Sequence, residues 1–370
     1  MKRALYSIIK TNLYKGKTIL LFGARRVGKT HLIKQIVQEE EGQYYSGEWI
    51  EVRELLSRTS LPGFREFIKG KKLVVIDEAQ SIPEIGLKLK VLHDEFPQVQ
   101  FIATGSSAFE LAQQISEPLT GRSRYLRLYP ISFEEIREEK SFIDAYSGIE
   151  SMLRFGSYPE VVLKPENERK EELLNIVSSY LYKDVVAYGQ LRRPDLVDEI
   201  LKLLAFQIGN EVSLNEISNK TNTTIKTVMR YIDILEKAFV ITSLRSFSRN
   251  LRNEIGKTKK YYFIDIGIRN AIINNFNPLT TRNDVGQLWE NFCILERIKK
   301  NEYSRRFVNS YFWRTYDQKE IDYIEEIDGK LYAYEFKWNE DVGKPPKAFI
   351  EAYPGSDYKV ISKNNFIEFI

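Results

Sequence analysis

A glycine-rich stretch near the start of the chain, GARRVGKT, constrains the fold more than any other feature. Gly23, Gly28, Lys29 and Thr30 satisfy the spacing G-x-x-x-x-G-K-[ST], and they lie between the apolar run KTILLF and the helix-like run THLIKQIVQEE. The backbone N–H groups of such a loop and the positive end of the following helix form a cradle for phosphate. The spacing therefore predicts a strand, a phosphate-binding loop and a helix, as in the P-loop branch of the α/β fold class.

Each polar residue of the loop has an expected role in binding ATP. Lys29 is expected to reach the β and γ phosphates, and Thr30 to hold Mg²⁺. His31 has no partner at the spacing of a metal site, so it is expected to lie near the nucleotide without binding metal. The predicted nucleotide-contacting positions are Gly23, Arg26, Gly28, Lys29, Thr30, His31 and Asp77.

A second stretch, LVVIDEAQ, supports the first because an apolar strand ends there in two acids. Asp77 is expected to anchor Mg²⁺, and Glu78 to orient or deprotonate the attacking water. Thr104 and Ser106 follow a further strand, VQFIATGSS, where a hydroxyl could align that water. Capping of a helix by Ser106 or Ser107 is the alternative. The pattern predicts an enzyme that hydrolyses ATP.

Arg122, in LTGRSRYLRLYP, is a candidate for the arginine that neutralises the transition state. The loop supplies no such charge, so the arginine would come from a neighbouring subunit. Arg124 and Arg127 compete for this role, and an ordinary surface arginine is the alternative.

Five runs, GARRVGKT, VVIDEAQ, TGSSAFEL, LTGRSRYLRLYPISFEE and GSYPEVV, resemble a prokaryotic group of AAA+ superfamily ATPases. In that group the C-terminal half is a domain of unknown function with a nuclease-like end. The resemblance spans nearly the whole chain. It implies an ATPase of the AAA+ type that acts as a homo-oligomer, and it agrees with a winged helix after the core. The helical periodicity of residues 141–194 separately predicts a helical lid or connector.

The middle of the chain predicts a helix-turn-helix. A short helix is expected from Leu214, a turn near Asn222, and a second helix from Thr223 to Lys237, with Ile225 in its apolar stripe. The basic run RSFSRNLRNEIGKTKK is a candidate wing that contacts phosphate. Docking of a protein partner is the alternative to DNA binding. The candidate DNA contacts are Thr224, Lys226, Thr227, Arg230, Arg249, Arg252, Lys257 and Lys259.

Near the end of the chain, Asp328-Gly329 predicts a two-residue type I′ hairpin turn. The resulting register sets Asp322 opposite Glu335, with Glu320 and Lys337 on the same face of the hairpin. Facing carboxylates favour a divalent cation between them. The spacing resembles the PD-(D/E)XK nuclease core, which implies phosphodiester hydrolysis by Asp322, Glu335 and Lys337.

In that nuclease core, Glu290 on the preceding helix is a further candidate metal ligand. The alternative is a structural ion-pair cluster, with Lys337 neutralising the acids of a non-catalytic scaffold. The predicted metal ligands are Thr30 and Asp77 for Mg²⁺ at the loop, with Asp322, Glu335 and Glu290 for a second divalent metal.

Length and composition fit this division. A chain of 370 residues suggests several domains, and we place them at 1–140 (ATPase core), 141–194 (helical lid), 195–275 (winged helix-turn-helix) and 276–370 (nuclease-like domain). A net charge of +4 is too small to indicate DNA binding by itself. One cysteine and the absence of a long apolar run favour a cytoplasmic protein with no membrane segment.

Overall fold

The computed structural model describes residues 1–57, 60–106, 119–181, 185, 193–248, 259–315, 317–339 and 342–370. The chain divides into two compact units. Unit 1 comprises Met1–Ile131 with Lys237–Phe239, and unit 2 comprises Ser132–Glu236 with Val240–Ile370.

Unit 1 contains a five-stranded parallel sheet in the order β2-β3-β4-β1-β5. The strands are β1 (Thr18–Phe22), β2 (Gln43–Ser46), β3 (Leu73–Asp77), β4 (Gln100–Gly105) and β5 (Ser123–Arg127). The helices are α1 (Ala4–Asn12), α2 (Lys29–Glu39), α3 (Ile50–Ser57), α4 (Leu61–Ile68) and α5 (Ile85–Glu95).

The three central strands of this sheet, β1, β3 and β4, are buried along their whole length. Continuous apolar runs are typical of parallel strands covered on both faces, which explains why these segments lack alternation. Because β3, β4 and β1 are parallel neighbours, their carboxyl ends meet at one edge of the sheet. Asp77, Thr104 and the loop after Phe22 therefore come together. The predicted α/β P-loop architecture is confirmed.

Unit 2 begins with helices. The α-helices are α6 (Phe133–Glu139), α7 (Phe142–Ser147), α8 (Ile149–Phe155), α9 (Pro159–Val162), α10 (Glu166–Ile176), α11 (Pro194–Phe206), α12 (Leu214–Lys220), α13 (Ile225–Lys237), α14 (Ile266–Ile272), α15 (Val285–Tyr303), α16 (Lys347–Ala352) and α17 (Phe366–Phe369). A π-helical turn, Val177–Leu181, follows α10.

A mixed seven-stranded sheet completes unit 2, in the order β12-β11-β10-β9-β7-β8-β6. The strands are β6 (Glu211–Val212), β7 (Ile241–Ser246), β8 (Lys259–Phe263), β9 (Asn309–Arg314), β10 (Glu320–Ile327), β11 (Lys330–Phe336) and β12 (Asp357–Ile361). Strand β7, which precedes the predicted domain boundary at residue 275, pairs in parallel with β9, which follows it. One sheet therefore contains strands from both sides of that boundary.

The predicted hairpin is confirmed. Strands β10 and β11 pair antiparallel with Ile327 opposite Lys330, so the two turn residues are Asp328 and Gly329. Both have positive φ, +50° and +80°, as a type I′ turn requires. The same ladder continues to Tyr323 opposite Tyr334, which leads to Asp322 and Glu335 as the next facing pair.

The run GSYPE forms a tight junction between α8 and α9. Gly156 has φ +69°, and a Cβ atom there would lie 2.0 Å from Oδ1 of Asp265, so no larger residue fits. The carboxylate of Asp265 accepts the Ser157 N–H at 2.7 Å and the Ile268 N–H at 3.1 Å, the latter as the cap of α14. This acid holds two helical segments together, which gives the run a structural role.

Candidate functional sites

The glycine-rich loop lies at the carboxyl end of β1. A Cβ atom at Gly23 would lie 2.3 Å from the Leu128 carbonyl oxygen, so the close approach of β5 requires glycine. Gly28, with φ +96°, caps α2. The buried side chain of Arg3, which the sequence did not single out, donates to the Val27 and Tyr129 carbonyls, each at 2.6 Å. Arg3 therefore anchors the loop from below.

Lys29 is folded back onto this loop. Its Nζ donates to the carbonyl oxygens of Gly23 at 2.9 Å and Ala24 at 3.0 Å, and the residue is 4% exposed. These acceptors are neutral carbonyls, and phosphate oxygens are stronger acceptors for an ammonium group. The other predicted contacts surround it, with Arg26 half-buried at φ +62° and His31 exposed on α2.

Asp77 is the centre of a hydroxyl network. Its Oδ2 accepts hydrogen bonds from Thr30 Oγ1 at 2.7 Å and from Tyr44 OH at 2.8 Å, and its Oδ1 accepts from Thr104 Oγ1. Burial and the Asp77 carboxylate raise the pKa of Tyr44, so the phenol keeps its proton. Tyr44 was missed by sequence reasoning, because it lies in β2 and only the sheet order places it beside Asp77.

Glu78 has a left-handed backbone, φ +48°, and its N–H donates to Thr104 Oγ1 at 3.1 Å. Its Oε2 accepts from the amide Nε2 of Gln80 at 2.6 Å, and the same amide lies 3.3 Å from Ser106 Oγ. The other amide atom, Gln80 Oε1, is buried without a hydrogen-bond partner in the part of the chain described. Sequence reasoning missed Gln80, although an amide two residues after Glu78 is a usable signal. Ser107 lies outside the described residues.

Arg122 lies away from the loop in its own chain. It directly precedes β5, and Thr18, at the start of β1, pairs with Ser123. The loop begins after Phe22, so Arg122 is roughly 15 Å away along the strand direction. Its Nε donates to Asp94 Oδ1 at 2.7 Å. Arg127 pairs instead with Phe22 and is exposed at the loop end of the sheet.

The second helix of the predicted helix-turn-helix is α13, and its surface differs in part from expectation. Ile225, predicted in the apolar stripe, is 40% exposed, because the helix buries Tyr231 and Ile234. Thr224 precedes the helix and its Oγ1 accepts the Thr227 N–H at 3.2 Å and lies 3.0 Å from Thr227 Oγ1. These two threonines are used locally as a helix cap.

The basic residues of this region have different positions. Lys226 and Arg230 are exposed on α13, and Lys259 is partly exposed on β8. The predicted contacts Arg249, Arg252 and Lys257 lie outside the described residues. The winged-helix assignment stays a prediction.

The predicted hairpin acids lie beside the predicted helix acid. We define the acidic cluster as Glu290, Glu320, Asp322 and Glu335. Glu290 Oε1 accepts from Tyr262 OH at 2.6 Å, and Asp322 Oδ2 accepts from the Phe336 N–H at 2.8 Å. Burial and the charges of Glu290 and Glu335 raise the pKa of Asp322 well above its usual range. Burial also raises the pKa of Glu290.

A cation that sequence reasoning assigned to the wing lies in this cluster. Lys260, on β8, is 1% exposed, and its Nζ pairs with Glu290 Oε1 at 3.3 Å and with Glu320 Oε1. Burial alone would lower the pKa of Lys260, but the carboxylates of Glu290, Asp322 and Glu320 raise it. The expectation that this lysine belongs to a phosphate-contacting surface is wrong, because its side chain points into the sheet's covered face.

Lys337 pairs with one acid of the cluster. Its Nζ lies 3.1 Å from Glu335 Oε1, and about half of its side chain is exposed. Across the described parts of the chain, no three His, Cys, Asp or Glu side chains are grouped so as to hold a metal ion. Lys260 already pairs with Glu290 and Glu320, so these residues fit an ammonium group better than the divalent metal that the nuclease resemblance implies.

Comparison with protein families divides the chain into three segments. Residues 15–137 match a family described as AAA domain, 147–279 match a domain of unknown function (DUF8612), and 285–367 match another (DUF4143). The first match agrees with the loop and the acid pair. The amino-terminal segment is a P-loop ATPase domain.

The chain also resembles whole proteins. An uncharacterized protein of Methanocaldococcus jannaschii is 27% identical over 78% of this chain and 68% of its own length. One of Haemophilus influenzae is 25% identical over 85% of this chain and 81% of its own length. The solved structure of a Walker-type ATPase of Pyrococcus abyssi superposes with a TM-score of 0.52 at 18% identity, covering 73% of this chain and 94% of that one. The structural likeness concerns the fold.

Among the described helices, none combines the length and apolar character that crossing a bilayer demands.

Proposed function

We propose that this protein binds and hydrolyses ATP at the carboxyl edge of the unit 1 sheet. The arrangement around the acid pair supports this proposal most. Asp77 is bonded to Thr30, while Glu78 is held separately by Gln80. One acid is thus placed to bind a cation and the other to act on water. A site that only bound nucleotide would have no need of the second acid.

The loop residues bind and orient the triphosphate. The N–H groups of the loop and the start of α2 favour anionic oxygens, and Lys29 exchanges its carbonyl acceptors for phosphate oxygens. Mg²⁺, when bound, neutralises the developing charge on the phosphates. Thr30 and Asp77 would hold it, because a hydroxyl and a carboxylate oxygen are ligands it prefers.

Glu78 and Gln80 act on the attacking water. The amide Nε2 of Gln80 fixes the Glu78 carboxylate, and within the described part of the chain no group donates to its buried Oε1. A buried acceptor without a partner is costly, so a water that donates to Oε1 would stabilise the site. That water would lie beside Glu78, which takes its proton. Gln80 is thus a positioning residue.

Substitution of Lys29 tests this proposal. Lys29→Ala is expected to lose MgATP binding in calorimetry and to release no phosphate from ATP. Lys15→Ala is the control, since Lys15 is exposed and precedes β1, at the opposite end of that strand from the loop. Unchanged turnover in Lys29→Ala would refute the assignment.

The position of Arg122 supports action as a homo-oligomer. In its own chain it is too far from the loop to contact phosphate, so any role in hydrolysis requires a neighbouring subunit. Mixing inactive Arg122→Ala subunits with inactive Glu78→Gln subunits should restore activity. Failure to restore it, in a mixture shown to co-assemble, would leave Arg122 as the partner of Asp94.

We further propose that α13 contacts DNA through Lys226 and Arg230. Both are exposed on one helix, as phosphate contacts must be. Each lysine or arginine that neutralises a phosphate adds about one to the slope of log affinity against log salt. Lys226→Ala should lower that slope by about one. Lys220→Ala on α12, whose lysine is paired with Glu216, is the control.

A protein partner is the second candidate for this surface. Ile225 and Met229, 40% and 55% exposed, lie one helical turn apart beside the basic residues. Exposed apolar residues of this kind are more typical of protein interfaces than of phosphate contacts. If no salt-dependent DNA binding is measured with or without ATP, a nucleotide-gated interaction with a protein partner is favoured over DNA binding as the function of this surface.

A further inference from the structure

The acidic cluster of unit 2 contains its own cation, Lys260. Its ammonium group pairs with Glu290 from α15 and Glu320 from β10, and Asp322 also contributes to its electrostatic environment. These acids come from separate parts of the chain. Lys260 therefore lies at the centre of the cluster, where the nuclease resemblance would put a metal ion.

We propose that Lys260 is the resident cation of the acidic cluster, which makes the cluster an ion-pair core that takes no divalent metal. The disagreement between the residues present and the implied metal carries this proposal. A magnesium ion is usually held through one or two carboxylates, with water completing its octahedral shell. An ammonium group already bonded to two of the acids competes for the same oxygens and repels a second cation.

Lys260 cannot easily leave this position. Its side chain is 1% exposed and passes over the Phe312 ring at 5.5 Å. Strand β8 lies between β7 and β6, so the backbone that carries Lys260 is paired on both sides. Moving the ammonium group into solvent would break the sheet or leave the buried acids without a counter-charge, which is strongly unfavourable.

Other oxygens of the cluster are also occupied. Tyr262 donates to Glu290, and the Phe336 N–H donates to Asp322. Arg314 approaches the remaining oxygen of Glu320 at 3.7 Å, and Lys337 pairs with Glu335. Several carboxylate oxygens of the cluster are thus bonded to groups of the protein itself.

Lys260 belongs to a different sequence segment from the acids that it pairs with, and this gives the cluster a structural role. Lys260 lies in the segment 147–279, whereas Glu290, Glu320 and Asp322 lie in the segment 285–367. The ion pairs therefore join two sequence families inside one sheet. The role is to hold these segments together.

Counting of bound Mn²⁺ tests the proposal on the full chain without nucleotide. We compare the wild type with Asp322→Asn, so that any ion lost on substitution belongs to the cluster. The two proteins should bind the same number of Mn²⁺ ions. Lys260→Met should gain one ion that the double variant Lys260→Met/Asp322→Asn loses. Lys259→Met, on the same strand, should gain none.

Thermal melting gives a second readout. Mn²⁺ should raise the melting temperature of Lys260→Met. It should shift the melting temperature of the wild type by no more than it shifts that of Asp322→Asn. A wild type that binds one more Mn²⁺ than Asp322→Asn would overturn the proposal, as would a folded Lys260→Met that gains no ion. If Lys260→Met does not fold while Lys259→Met does, equal Mn²⁺ binding by wild type and Asp322→Asn still supports it.

Discussion

The loop in unit 1 and the acidic cluster in unit 2 each contain a buried lysine, yet the lysines have different partners. Lys29 donates to two backbone carbonyls, whereas Lys260 pairs with two carboxylates. Carbonyl acceptors are readily replaced by a phosphate, while a carboxylate neutralises the lysine permanently. The partner of a buried lysine, more than its burial, therefore distinguishes a ligand site from a structural ion pair.

The same acid-to-amide change in both regions should give the largest contrast. Glu78→Gln is expected to lower the rate of ATP hydrolysis by about 10²–10⁴-fold, because it removes the group that takes the proton. Asp322→Asn should leave that rate within about twofold, since Asp322 belongs to unit 2 and the loop belongs to unit 1. Steady-state phosphate release measures both. A comparable loss in Asp322→Asn would break the distinction.

The next largest contrast is expected when the same lysine-to-methionine substitution is made at Lys260 and at Lys29. Lys260→Met should destabilise unit 2 by about 3–5 kcal/mol, the cost of leaving buried carboxylates without their partner. Lys29→Met should destabilise unit 1 by only about 1–2 kcal/mol, because neutral carbonyls are cheaper to leave unpaired. Urea denaturation without nucleotide, followed separately for each unit, gives both values. Equal losses would show that the two lysines are held alike.

A smaller effect is expected from Gln80→Met, which keeps the side-chain volume and removes the amide. The rate of hydrolysis at saturating ATP should fall about 10–100-fold, because Glu78 loses its orientation. The dissociation constant of MgATP should be unchanged, and Gln80→Asn should recover part of the rate. Weaker nucleotide binding in Gln80→Met would indicate that Gln80 supports the loop instead of the water.

Asp284 shows a third arrangement, a carboxylate paired with arginines. Burial would raise its pKa, but Arg282 and Arg269 lower it to about 2. Its unfolded value is about 3.9, so the unfolded chain binds more protons between these values and stability rises with pH there. The contribution is complete above about pH 4 and is lost as pH falls towards the folded value.

The variant Asp284→Asn lacks this contribution. It should be less stable than the wild type by about 1–2 kcal/mol at pH 6, allowing for solvent screening. The difference should narrow as the pH falls from 4 to 3, measured by urea denaturation at each pH. A difference that stays constant over this range would contradict the assignment.

The sequence predicted what depends on short spacing. The loop from Gly23 to Thr30, the acid pair after β3 and the hairpin register at Asp328-Gly329 each follow from a few neighbouring residues. Each of these features has a local geometry, so the residue types and spacings of a single sequence are enough to predict it.

Contacts across the sheet could not be predicted in this way. Lys260 is 30 residues from Glu290, and the strand order that brings β8 near β10 has no local signal. In the sequence it is one of several adjacent basic residues, so it was assigned to a solvent-exposed wing. Tyr44 and Gln80 were missed similarly, since hydrogen-bond partners at the end of a sheet depend on neighbouring strands.

The pairing of β7 with β9 has a practical consequence for dissecting this chain. A fragment ending at residue 275 would retain β7 and lose β9, and the complementary fragment would retain β9 and lose β7. Each would expose a row of unpaired backbone groups on a strand that is interior in the whole protein, a surface prone to aggregation. Residues 132–370 should therefore be expressed and studied in one piece.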